Sequence, residues 1–133
     1  MAANTDPIFP IAGATPMVQI STANTNRDGT GTLGTIVTGD ADGTRVMRLI
    51  ICATGTTTAG VIRLFQNDGT DTRLFDEILV SAVTPSTTVK VWQYEYKKTD
   101  GSPIIFLKDN TYVLKAGTHN AEAFNIFGII ENY

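Results

Sequence analysis

The chain has 133 residues, a length that suits one domain with a core of its own. Its 10 basic and 13 acidic side chains give a net charge of -3, which argues against nucleic-acid binding through phosphate contacts. A single cysteine excludes an internal disulfide and a multi-cysteine metal site, and no apolar run reaches the roughly twenty residues that cross a bilayer. The first residues lack the pattern of a signal peptide, so we expect synthesis in a cytoplasm.

The N-terminal 15 residues are rich in proline and apolar side chains. Pro7 and Pro10 flank Ile8 and Phe9, and Ile11 follows. Prolines at this density block sheet hydrogen bonding and favour an extended arm. Two interpretations stay open: the arm lies across the core of its own domain, or it docks Phe9 and Ile11 onto another subunit.

The rest of the chain, residues 16–133, is predicted to be a single all-β domain. Four Asp-Gly pairs, at residues 28–29, 42–43, 68–69 and 100–101, are typical of turns because glycine adopts positive φ freely. Between the turns lie short runs rich in β-branched and aromatic residues. The predicted strands cover residues 17–22, 33–38, 45–53, 60–66, 73–82, 89–96, 104–107, 112–115 and 124–130. About nine short strands of this spacing predict an antiparallel, jelly-roll-like β-sandwich, with an immunoglobulin-like sandwich as the second choice.

A long polar loop, residues 23–34, separates the first two predicted strands. Loops of this length without regular structure are unusual in compact domains and often carry binding contacts.

Side-chain alternation predicts which residues face the core. In the third strand, Arg45, Met47, Leu49 and Ile51 are expected on one face and Val46, Arg48, Ile50 and Cys52 on the other. Both faces are apolar towards its end, which is typical of a central strand. The lone cysteine is expected to be a small buried side chain.

In the strands that follow, Ile62 and Leu64 are expected to point inward and Arg63 outward. Leu74, Ile78 and Val80 are expected to share one face. The arginines of these strands are expected to pair with acidic side chains across the sheet.

The most aromatic predicted strand places Trp92, Tyr94 and Tyr96 on one face. Three uses are open for them: burial in the core, a subunit interface, since Trp and Tyr are enriched in contact hot spots, or a platform on which sugars stack.

No set of residues predicts catalysis. His119 is the only histidine, and the chain has no Gly-x-Ser-x-Gly elbow to supply a nucleophile. Glu77 and Glu95 fall on strand positions that face solvent, which does not suit a pair of carboxylates in a cleft. We therefore expect no enzyme activity, no cofactor and no catalytic metal.

Asp40-x-Asp42-Gly43 resembles part of a calcium loop, but the further oxygen ligands of such a loop are missing. A turn is the favoured interpretation. Calcium binding by Asp28, Asp40 and Asp42, gathered at one end of the sandwich, stays open.

Three stretches resemble small bacteriophage virion proteins: the proline-bearing arm, the threonine-rich loops with the run Thr57–Phe65, and the run Leu114–Ala121 near the end of the chain. The resemblance implies a β-sandwich protein of the phage head, without catalytic residues. Members of that family decorate or cement capsids, often as trimers that sit where coat subunits meet.

On this resemblance the expected partners are further copies of the chain, as a trimer, and the major capsid protein, with no nucleic acid and no membrane. The expected location is the capsid surface, after synthesis in the host cytoplasm. The candidate interface residues are Ile8, Phe9, Ile11, Trp92, Tyr94 and Tyr96. The alternatives are a carbohydrate-binding module of a head fibre or receptor-binding protein, and a component of the tail or baseplate.

Overall fold

The computed structural model describes residues 9–133, which form ten β-strands. They are β1 (Ala12–Ala14), β2 (Met17–Ile20), β3 (Gly34–Thr38), β4 (Thr44–Ala53), β5 (Gly60–Asn67), β6 (Thr72–Val80), β7 (Gln93–Tyr96), β8 (Ile105–Leu107), β9 (Val113–Thr118) and β10 (Phe124–Asn132). No helix long and apolar enough to cross a membrane occurs among these residues.

The strands form two antiparallel sheets that pack face to face. Sheet A has the order β1-β10-β4-β7, with β2 also paired to β10 and β8 also paired to β4. Sheet B has the order β3-β9-β5-β6. The chain passes repeatedly from one sheet to the other, so each sheet combines strands from both ends of the sequence. The predicted all-β, antiparallel β-sandwich is confirmed.

The end of the predicted arm takes part in sheet A. Ala12, Gly13 and Ala14 pair with the last residues of β10, and the Ile11 amide donates to the Asn132 carbonyl at 2.8 Å. Residues 12–20 thus line one edge of sheet A almost continuously, interrupted at Pro16, whose carbonyl accepts from Gly128 at 2.8 Å.

The core lies between the sheets and consists of inward-facing side chains of both. Leu49 and Ile51 of β4 meet Ile62 and Leu64 of β5 there, and all four are fully buried. The inward direction predicted for Ile62 and Leu64 is therefore confirmed, as is the central position of β4 between β10 and β7.

Two β-bulges shift the predicted alternation. The register of β4 against β10 slips near Met47, so Val46 is buried with Leu49 rather than lying opposite it, and the predicted division of β4 into faces is wrong at its start. The register of β6 slips at Phe75, so Leu74 is exposed and does not share the buried face of Ile78. Each bulge inserts one unpaired residue, which reverses the facing of every position beyond it.

The Asp-Gly turns are confirmed. The glycines that follow Asp28, Asp42, Asp68 and Asp100 all have positive φ, between 78° and 106°.

Candidate interaction surfaces

The two outer faces of the sandwich differ, because the long polar loop covers one of them. In the loop, the Asn24 side chain is buried and its Nδ2 donates to the carbonyls of Thr30 and Thr32, each at 3.0 Å. The backbone of Asn24 donates to the Thr118 carbonyl at 2.8 Å, which ties the loop to β9. The loop also passes directly over Gly117, where a Cβ would come within 3.0 Å of Leu33. The loop thus forms an outer layer on sheet B.

Arg63 lies beneath this loop on the outer face of sheet B. The Arg63 side chain points outward, as predicted, but only 3% of its surface is exposed. Its Nε donates to Glu77 Oε2 at 2.8 Å, and its Nη1 donates to the Asn24 carbonyl at 3.3 Å. Arg27, in the loop, donates to the same Glu77 oxygen at 2.8 Å. One carboxylate therefore connects sheet B to its covering loop.

The two arginines hold the pKa of Glu77 below its usual range, first through the hydrogen bond from Arg27 and then through that from Arg63. Glu77 is therefore ionised at neutral pH and is fully engaged in an ion-pair network. This is a structural use of a carboxylate, and it agrees with the predicted cross-strand pairing of arginines with acids.

His119 belongs to the same network. Its Nδ1 lies 3.3 Å from both Nη atoms of Arg63. Because a guanidinium only donates hydrogen bonds, Nδ1 is the acceptor in this contact. Its contacts are with a buried cation rather than with a nucleophile.

The outer face of sheet A carries no such cover among residues 9–133. Cross-strand pairing aligns Met17, Phe127 and Ile50 in one row, and Ile129 lies in the next row along β10. Phe106 of β8, half exposed, stacks obliquely on Tyr133 at the end of the same face. We call this surface, defined by Met17, Ile50, Cys52, Phe106, Phe127, Ile129 and Tyr133, the open face.

Charged side chains interrupt the open face: Arg48 is the cross-strand partner of Ile129, and Glu95 is that of Ile50. Arg45 Nη2 lies 2.9 Å from Glu131 Oε2, and Arg48 Nε lies 3.3 Å from Glu95 Oε2. Lys97 Nζ lies 3.1 Å from the other oxygen of Glu95. The open face therefore combines exposed apolar side chains with paired charges.

Cys52 also lies on the open face, where it pairs with Asn125 of β10 and Gln93 of β7. It is half-buried. The prediction that it is a buried side chain is wrong, because its neighbours Ile51 and Ala53 take the inward positions of β4.

The three aromatic residues singled out from the sequence have three different environments. Trp92 is buried at the edge of the core, with its ring edge-on to Phe124 at 5.8 Å. Tyr94 is exposed and stacks on Trp92, with ring centroids 6.2 Å apart. Tyr96 is half-buried, and its hydroxyl donates to Asp76 Oδ2 at 2.6 Å. They do not form one continuous aromatic surface.

A shallow cleft of about 350 Å³ lies beside Tyr94, along the edge strand β7. Ile50, Gln93 and Glu95 line it together with Tyr94. A second shallow cleft, of about 390 Å³, lies across the open face between Met17 and Phe127.

The arm residues that the structure describes are strongly exposed. Phe9 is 70% exposed and Ile11 is 82% exposed, next to the β1 edge of sheet A. Ile8, the third predicted anchor, lies outside the described residues.

Asp28, Asp40 and Asp42 do not form a common site. Asp28 accepts hydrogen bonds from the amide and hydroxyl of Thr30, and Asp40 accepts from the amide of Asp42. Between residues 9 and 133, no group of three or more His, Cys, Asp or Glu side chains is placed to hold a metal ion.

Sequence reasoning missed the open face, although its signal was present. Ile50, Phe127 and Ile129 occupy strand positions opposite in parity to the core residues, but two apolar faces at the end of the strand 45–53 indicate a central strand rather than an open surface. Sequence reasoning also missed the burial of Arg63, because that depends on a loop some 35 residues away in sequence.

No protein-family model matches the chain, and no curated protein matches it. Among solved structures, the chain is similar to a pentameric capsid protein isolated from metagenomic phage sequences, with 15% sequence identity and a TM-score of 0.42. The match covers 89% of this chain and 61% of that one, so this chain spans less than two thirds of the length of that protein. A likeness of this degree carries no conclusion about assembly or function.

Proposed function

We propose that this chain is a non-enzymatic structural protein of a bacteriophage virion, a decoration or cement protein that binds the major capsid lattice. The proposal rests on the resemblance of the arm, the threonine-rich loops and the run Leu114–Ala121 to small virion proteins. The observation that carries it in the structure is a pair of exposed apolar side chains, Phe9 and Ile11, held at the edge of a rigid sandwich.

The attachment of the arm determines where these side chains lie. The pairing of Ala12–Ala14 with β10 and the bond from the Ile11 amide to Asn132 fix the base of the arm to sheet A. Phe9 and Ile11 therefore project from a fixed point rather than from a free chain end. Exposed large apolar side chains on a folded domain are typical of binding surfaces.

A capsid lattice repeats the binding site for the arm, so several arms can bind at the same time. Each arm buries only two or three apolar side chains, which gives a weak contact by itself. When several arms of one oligomer engage neighbouring sites, the second and later contacts are intramolecular and their effective concentration is high. We therefore expect the protein to bind the capsid surface as an oligomer.

The test uses purified full-length chain and capsids of the phage that encodes it, stripped of the protein. Phe9→Asp/Ile11→Asp is expected to lower the bound fraction in co-sedimentation at least tenfold, because both anchors become charged. A truncation lacking residues 1–10 should behave in the same way and still fold, because it leaves β1 intact.

Leu79→Asp is the matched control. Leu79 is 79% exposed but lies on β6 of the other sheet, so the same change of chemistry there should leave binding unaltered. Full capsid binding by the truncated chain, or no binding by the unmodified chain, would contradict the proposal.

A second candidate function is carbohydrate binding, as in a head fibre or receptor-binding module. It is favoured by the exposed ring of Tyr94 beside a cleft that Gln93 and Glu95 line with polar groups. A glycan array separates the two functions: signals that disappear in Tyr94→Ala support a sugar site, and an array without signals favours the capsid role.

A further inference from the structure

We propose that the open face of sheet A is the surface through which this chain associates with a second copy of itself. The inference does not depend on capsid binding, and it concerns residues other than the arm. It follows from the size, the composition and the charge of this face.

The two sheet faces differ in how far they are covered, although Leu79 on the edge strand β6 of sheet B is exposed as well. Sheet B is covered by the loop that Asn24 holds and that Arg27 and Glu77 connect to Arg63. Sheet A leaves Met17, which is 71% exposed, beside the half-buried Phe127 and Ile50. The outer faces of the two sheets therefore differ in how far the rest of the chain covers them.

The open face has the area that a specific dimer needs. Four strand positions at about 4.8 Å spacing and nine residues at about 3.3 Å rise give a face of about 19 by 30 Å, or about 600 Å² per copy. Two such faces bury about 1,200 Å² in total, which is the lower limit of the range for stable, specific interfaces.

The nearly balanced charges of this face suit a second copy better than a strongly charged partner. The pairs Arg45–Glu131 and Arg48–Glu95, with Lys97, bring three cations and two carboxylates to this face. Each carboxylate has a cationic partner within the chain, and Glu95 has two, so these five groups leave an excess of one positive charge per copy. The charges of this face are not electrostatically complementary to a highly acidic or highly basic partner.

Pairing of the same face on two copies is isologous, so it closes at two copies. The open face therefore predicts a dimer, or a larger assembly with an even number of subunits. The resemblance to virion proteins implied a trimer instead, and the mass in solution separates these outcomes.

The test is sedimentation equilibrium of the full chain over a hundredfold range of concentration. The unmodified chain should approach twice the mass of one chain. Met17→Glu/Ile50→Glu should raise the dissociation constant by roughly a hundredfold, since each change places a carboxylate in the apolar centre. Met17→Glu alone, at a position too exposed to affect folding, should raise it roughly tenfold.

Leu79→Glu is the control for nonspecific effects of a new carboxylate, and it should dimerise like the unmodified chain. The single thiol gives a second readout, because Cys52 lies on the open face. Its rate of alkylation should fall as the concentration of unmodified chain rises and should stay constant in the double variant. A chain that stays monomeric at every concentration would overturn the proposal. So would an oligomer in which the rate of Cys52 alkylation does not change with protein concentration.

Discussion

The side chain of Asn24 makes several of the hydrogen bonds that order the loop of residues 23–34. Its amide nitrogen donates to two loop carbonyls, its Oδ1 accepts from the Asn26 amide at 3.0 Å, and its own carbonyl accepts from Arg63. Gly31 passes so close that a Cβ there would lie 2.7 Å from the Asn24 amide, and its φ of +88° suits only glycine well. The loop thus wraps around one buried amide.

Replacing that amide should release the loop. Asn24→Asp keeps the shape and the acceptor but lacks the two donors, so the carbonyls of Thr30 and Thr32 lose their partner. We expect a loss of about 1–3 kcal/mol in the free energy of unfolding, measured with urea. We also expect faster trypsin cleavage after Arg27, which the ordered loop protects. Asn26→Asp makes the same chemical change at an exposed position, and equal effects of the two variants would refute this role for Asn24.

At the scale of elements, the edges of the two sheets are joined by a side-chain bond. Tyr96 on the edge strand β7 of sheet A donates to Asp76 on the edge strand β6 of sheet B. Burial of the phenol, and then its hydrogen bond to Asp76, raise the pKa of Tyr96 above its ordinary value. The bond closes the side of the sandwich opposite to β2 and β3.

This bond predicts a loss of stability in alkali. The folded state favours the neutral phenol, so the bond contributes fully below the ordinary tyrosine pKa of about 10 and its contribution falls as pH rises above that value. Urea unfolding at pH 8 to 11.5 should show the free energy of unfolding declining at the upper end. Tyr96→Phe should be less stable at pH 8 and should show a smaller decline. Tyr94→Phe, on the same strand, is the control, and an identical decline in both variants would count against the bond.

At the scale of the whole molecule, four turn carboxylates act together. Hydrogen bonds from Thr30, Ser102 and Thr111 lower the pKa of Asp28, Asp100 and Asp109, and the amides of Asp71 and Thr70 lower that of Asp68. Each turn joins or follows strands, so all four turns contribute to the same folding equilibrium.

Stability should therefore fall in acid. A carboxylate with a lowered pKa stabilises the fold above its ordinary pKa of about 4, and that contribution disappears as pH falls through the lowered value. A variant in which asparagine replaces all four of these aspartates keeps the hydrogen-bond acceptors but has no carboxylates there to titrate. We expect thermal unfolding midpoints of this variant to fall less between pH 5 and pH 2 than those of the unmodified chain. An unchanged pH profile would show that these turns do not contribute.

Much of the fold followed from local pattern. The Asp-Gly turns, the inward Ile62 and Leu64, and the central position of β4 depend on turn chemistry and on period-two alternation, both of which are visible over a few residues. The faces of Val46 and Leu74 were wrong because a bulge depends on the register with the partner strand, which is the distant β10 for Val46 and the neighbouring β5 for Leu74. No local pattern distinguishes a bulged strand from a regular one.

The candidate surfaces were less predictable. Phe9 and Tyr94 were singled out from the sequence and are exposed, whereas Trp92 is buried against Phe124. The open face was not anticipated, because apolar residues on both sides of a strand indicate burial on both sides in a sequence.

The sequence by itself determined the class of this protein: short alternating strands and Asp-Gly turns leave the backbone few ways to satisfy its hydrogen bonds other than paired sheets. The tertiary structure alone decided which faces are covered. The loop anchored by Asn24 and Arg63 protects sheet B, and sheet A keeps its apolar outer face, because covering a sheet requires contacts between segments far apart in the chain.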